Sequence, residues 1–127
     1  MSTTKEQQRS AFALQQIQEY WKNGVKKEEA NFIVGMPTMI LTNGVGQSMA
    51  FLLSKKDEEK SGRVFAILKK WLVSEKIVPV SENADNMQFL KKFSDLEQES
   101  YLRAQQEALA MLQWLKRYAR AFEVKQP

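Results

Sequence analysis

Lys116, Arg117 and Arg120 fall within five positions of one another, and no acid intervenes before Glu123. Clustered cations of this kind attract phosphate, and they do so without reading bases. The same three side chains would also complement the negative end of a helix, and composition alone leaves both readings open. Further basic residues come in pairs: Lys26–Lys27, Lys55–Lys56, Lys69–Lys70 and Lys91–Lys92. Taken singly, each pair reads as a solvated face. Arg103, Lys69 and Lys70 join the terminal cluster as candidate phosphate contacts.

Other chemistry is hard to find. The chain has no histidine and no cysteine. Thiolate nucleophiles, disulfides, the usual zinc sites and imidazole acid–base catalysis are therefore excluded. Serine and threonine lack a histidine base to activate them. The acids are mostly glutamates interleaved with lysine on helical faces, while Asp57, Asp85 and Asp95 sit in connections or at helix starts, as caps do. The segment "NGVGQS" contains two glycines, but it follows a helix and carries no lysine, unlike a phosphate loop. No catalytic residue, cofactor or metal ligand is expected.

The cations need a scaffold, and the chain supplies helices. Its 127 residues suit one domain, 1–127, able to bury roughly two-thirds of its unfolded surface. Hydrophobic residues make up 43% and charged residues 27%, the balance of a soluble globular protein. The net charge of +4 is a mild excess, compatible with an acidic partner but not diagnostic of one. The polar start, "MSTTKEQQRSAFALQQ", has no signal-peptide core, and no apolar run approaches a membrane span. The expected location is cytoplasmic.

Nearly every segment repeats with a helical period. Thr3–Glu6 and Thr4–Gln7 both have capping-box spacing. Ala13, Leu14, Ile17, Tyr20 and Trp21 share a face, and Gly24 is expected to end the first helix. A second helix should place Phe32, Ile33, Met36, Met39 and Ile40 inward, with a kink or restart at Pro37. Asn43-Gly44 should stop it, and Val45, Met49, Leu52 and Leu53 begin a third stripe. Gly46 would allow close approach at this corner, with the Gln47 amide serving free backbone groups. "KKDEEKSG" reads as a charged connection. Val64, Phe65, Leu68, Trp71 and Leu72 mark a fourth helix, "IVPVSENAD" a break, and "NMQFLKKF" a short fifth. Ser94–Glu97 is a second capping-box candidate, opening a long last helix that runs to about Phe122. That helix sets Tyr101, Ala104, Ala108, Met111, Leu115, Tyr118 and Phe122 inward, and Arg103, Gln106, Gln113, Lys116, Arg117 and Arg120 outward. Trp114 falls on the border. The expected fold is all-α, a single compact bundle of about six helices.

Two stretches make the chain resemble a known family. One is the corner, "MPTMILTNGVGQSMAFL"; the other is "YLRAQQEALAMLQWLKRYA". With the short length and all-helical pattern, they are similar to the small subunit of type III-B CRISPR effector complexes, the Cmr family. The resemblance implies a non-enzymatic helical subunit acting in defence against invading nucleic acid. It implies that copies stack along the backbone subunits and line a channel for the guide–target RNA duplex. The implied partners are other Cmr subunits, further copies of the chain, CRISPR RNA and target RNA, with no membrane and no small-molecule substrate. On that reading Lys116, Arg117, Arg120, Arg103, Lys69 and Lys70 are candidate RNA phosphate contacts. Pro37, Asn43, Gly44, Gly46, Gln47 and Trp114 are candidates for a protein interface or the corner that supports it.

Two other readings stand beside this one. A helix-turn-helix DNA regulator would use the Asn43-Gly44 corner, but the following "QSMAFLLSKK" is apolar where a recognition helix is polar. A structural adaptor would need no nucleic acid at all.

Overall fold

The computed structural model describes residues 2–125. Helix α1 spans Lys5–Tyr20 and starts at Thr4, not Thr3. The Thr4 hydroxyl accepts from the Gln7 N–H at 3.1 Å, and the Thr4 N–H donates to the Gln7 amide oxygen at 2.8 Å. Two otherwise free donors of the first turn are thereby satisfied. Ala13, Gln16 and Ile17 form the buried stripe of α1, whereas Leu14, expected inward, is 41% exposed because it lies a residue off that stripe. The helix stops at Tyr20, capped by Trp21. Gly24 turns the chain beyond it at φ +94°, a left-handed conformation that suits glycine.

Helix α2 runs from Lys27 to Ser54. Gly44 is its one residue with non-helical dihedrals, at φ 83° and ψ 161°. The two helices expected on either side of Asn43-Gly44 are thus one kinked element, and the helix count is five, not six. The break falls at Gly44 and not at Pro37. Pro37 is buried inside a helical run, where its missing N–H costs one ladder bond without unwinding the turn.

Helix α3 spans Glu59–Ser74 and buries Val64, Phe65, Ile67, Leu68, Trp71 and Leu72. It begins inside the segment expected to be a charged connection, which shrinks to residues 55–58. The break after α3 stands as expected, with Ile77 and Val78 buried within it. Helix α4, Asn86–Ser94, opens on a capping box between Asp85 and Gln88. It continues through Ser94, so the capping box expected at Ser94–Glu97 does not form; α5, Gln98–Ala121, starts at Glu97 without a side-chain cap. Phe122 lies past the end of α5, where helical spacing no longer aims it inward, and is 48% exposed.

Helix α5 packs against α1, α2 and α3, and α2 also packs against α3. Ala104, Ala108, Met111, Leu112, Leu115 and Ala119 are the buried stripe of α5. Small residues in that stripe let its neighbours approach. A line of aromatic rings runs through the bundle from α3 to α5: Phe65, Phe89, Phe93 and Tyr101, with centroids 6.1, 6.0 and 5.6 Å apart in turn. Among the described residues the one β-type contact is an isolated parallel bridge between Val25 and Glu123. There the Val25 N–H donates to the Phe122 carbonyl and the Val124 N–H to the Val25 carbonyl, both at 2.9 Å. This strap lies across Gly24, where a side chain would collide with Val124.

Candidate nucleic-acid interface

Lys116, Arg117 and Arg120 meet at a shallow depression that also touches Val34 of α2. Arg117 and Arg120 are exposed, and Lys116 is half-buried. Arg120 is braced: its guanidinium donates to Glu123 and to Asn31 Oδ1, each at 2.8 Å. Lys116, Arg117 and Arg103 have no acidic partner among the described residues. Arg103 is exposed on the same helix, 13 residues earlier, which is about 20 Å along the axis. Of the three terminal cations, only Arg120 lies in the last turn of α5. The helix dipole, whose effect fades within one turn, therefore accounts for Arg120 and not for Lys116 or Arg117.

From Leu102 to Phe122 the chain has one acid, Glu107. It does not offset the surface cations, because it is used inside. The Glu107 carboxylate accepts from Arg9 Nε at 3.0 Å, from Arg9 NH2 at 2.6 Å and from Trp71 Nε1 at 2.9 Å. A bidentate guanidinium plus an indole holds its carboxyl below the usual carboxylate range, against the opposing effect of burial. Arg9 in turn binds Glu6, whose other oxygen accepts from Trp114 Nε1 at 3.1 Å. Trp114 is thus a strut between α5 and α1, with its ring against Tyr118 at 5.9 Å. Arg9 and Glu107 were not foreseen as a pair; they are 98 positions apart, and no local pattern links them.

Lys69 and Lys70 stand apart from this cluster, on α3. Lys69 donates to the Ala84 carbonyl at 2.7 Å and to Asn86 Oδ1 at 3.0 Å, tying the 75–85 connection to α3. Burial pushes its ammonium pKa down. Lys70 is exposed; its ammonium reaches the Tyr20 hydroxyl at 2.9 Å and lies over that ring.

The corner residues also have definite places. Restarting a helix after Gly44 frees backbone N–H groups, and α5 accepts two of them. The Val45 N–H donates to Gln105 Oε1 and the Gly46 N–H to the Tyr101 hydroxyl, both at 3.1 Å. The amide expected from Gln47 is therefore supplied by Gln105, and Gln47 points to solvent. The signal was present: Tyr101 and Gln105 are polar, four apart, on the packed side of α5. A methyl at position 46 would lie 3.1 Å from the Tyr101 hydroxyl and 3.6 Å from the Phe93 ring, so the close approach at Gly46 is to side chains. Asn43 is exposed beside the corner. From Ala30 to Ser54, α2 has no charged residue at all, yet Leu41 is 70% exposed there.

No helix among the described residues is long and apolar enough to cross a membrane, and no described cluster of acids could hold a metal ion. The described residues form an all-helical bundle in which α5 packs against α1, α2 and α3, carries cations on its exposed side and caps the corner of α2. Residues 5–122 match the family model for the CRISPR-associated protein Cas_Cmr5. The chain belongs to that family: it is a small subunit of a type III-B CRISPR effector complex, acting with other Cmr subunits in antiviral defence.

Proposed function

We propose that this subunit is a non-catalytic spacer that holds the guide–target RNA duplex within the assembled complex. Lys116, Arg117 and Arg120, with Arg103 further along, face the phosphate backbone without base preference. The observation that carries this reading is the outer face of α5 from Arg103 to Arg120, which bears four cations while the one acid within that stretch, Glu107, is engaged by Arg9 and Trp71. The uncharged outer side of α2 and the corner at Gly44–Gln47 pack against neighbours, both backbone subunits and further copies of the chain. On this proposal the 127 residues act as one domain in the cytoplasm, and target cleavage belongs to another subunit.

The test is charge reversal in the complete complex. With Lys116→Glu, Arg117→Glu and Arg120→Glu together, RNA retention at physiological salt should fall strongly, with assembly intact. The slope of log affinity against log salt should shrink by about 0.7–0.9 for each phosphate no longer neutralised. Undiminished retention would remove these residues from the interface.

A further inference from the structure

We infer that Asn23 is a site of spontaneous modification, which converts to isoaspartate in the native subunit and thereby releases the strap of residues 122–125. Asn-Gly occurs twice in the chain, at 23–24 and 43–44, while the other asparagines precede Phe32, Ala84 and Met87. An asparagine before glycine can close on itself, because no Cβ shields the glycine nitrogen. The Gly24 nitrogen, having given its proton to solvent, attacks Asn23 Cγ. The Cγ–Nδ2 bond breaks, ammonia leaves carrying a proton from water, and a five-membered succinimide remains. Water then opens the ring. Breaking the bond from the Gly24 nitrogen to the backbone carbonyl gives isoaspartate; breaking its new bond to Cγ gives aspartate. No oxidant or reductant takes part.

The fold discriminates between the two sites. Asn23 is exposed in the turn between α1 and α2, where a single turn hydrogen bond, from the Gly24 N–H to the Trp21 carbonyl at 3.0 Å, restrains the attacking nitrogen. Asn43 is exposed too, but it is helical within α2, and a helical ψ keeps the next nitrogen turned away from Cγ. What lies over the Asn23 turn makes the product matter. Isoaspartate routes the chain through the former side chain and adds one backbone carbon ahead of Gly24. Gly24 sits under Val124 with no room for a methyl group. Val25 shares two backbone hydrogen bonds with the strap, both at 2.9 Å. A displaced Gly24 cannot keep both arrangements, so the strap detaches. Aspartate leaves the backbone length unchanged and keeps it. The strap also carries Glu123, which braces Arg120, so its release reaches the cationic face of α5.

The full chain is aged at mildly alkaline pH, native and in urea, then cut at glutamate and read by peptide mass spectrometry, with isoaspartate-specific methylation separating the two acid products. In urea both Asn-Gly sites should convert at similar rates. In the native protein Asn23 should convert about tenfold faster than Asn43, a factor set by the cost of freeing one helical residue. Hydrogen exchange on the chromatographically separated isoaspartate form should show weakened protection at the Val25 and Val124 amides. Asn23→Asp should keep native protection there, and Asn23→Gln should abolish the modification and hold the strap through the same ageing. Native conversion at Asn43 as fast as at Asn23, or none at Asn23 while the urea sample converts, overturns the site. Native protection in the isoaspartate form, or lost protection in Asn23→Asp, overturns the link to the strap.

Discussion

Glu107 shows how one side chain is withdrawn from a surface to serve an interior. Its carboxylate is shared by a guanidinium from α1 and an indole from α3, so it joins three helices at once. Removing the charge while keeping the shape, as in Glu107→Gln, leaves Arg9 with a poorer partner and should cost about 1–3 kcal/mol in urea unfolding. The site lies partly open to solvent, which favours the lower part of that interval. Acid should act in the same direction. The folded carboxyl titrates below the ordinary glutamate value of 4.5, so its contribution is complete above that pH. It disappears as the pH falls further, through the folded value. Thermal melting of the wild type should therefore drop more steeply below about pH 4.5 than that of Glu107→Gln. Equal slopes for the two proteins would show that the pair contributes nothing.

The kink of α2 is an event between elements, since the donors it frees are met by α5. Tyr101→Phe keeps the ring against Phe93 and removes only the acceptor for the Gly46 N–H; a loss of about 1–2 kcal/mol is expected. Gly46→Leu forces a branched side chain into contact with Tyr101 and Phe93. It should cost about 1–3 kcal/mol by overpacking and impair assembly of the complex. Unchanged folding together with unchanged assembly would show that close approach at this position is irrelevant. Helical periodicity made every helix legible, along with most of the buried stripe of α5 and the Thr4–Gln7 cap, because these depend on neighbours three and four positions apart. The clustering of Lys116, Arg117 and Arg120 was legible for the same reason. What escaped was non-local. Gln105 supplying the cap expected of Gln47, Lys69 bracing a connection, and Arg9 meeting Glu107 are set by packing, and no spacing encodes them. Leu14 and Phe122 misled because hydrophobic type outruns actual burial at the margins of a stripe.

At the scale of the molecule, the strap of residues 122–125 closes the bundle next to the first connection. Gly24→Ala combines an unfavourable backbone conformation with a collision against Val124, so the strap should lift. Hydrogen exchange would report this as weakened protection at the Val25 and Val124 amides, while Met111 and Leu112 amides stay protected. Weakened protection throughout would mean that the strap is integral to the core. A larger consequence follows from the place of α5 as the helix on which α1, α2 and α3 all close. It follows the other four described helices in the chain, so these leave the ribosome with their apolar stripes uncovered. The nascent chain can collapse but cannot settle until α5 has followed them. A ribosome stalled with the chain exposed only up to Gln98 should hold a protease-sensitive, chaperone-bound intermediate, and exposure of α5 through Ala121 should convert it to the native fold in one step.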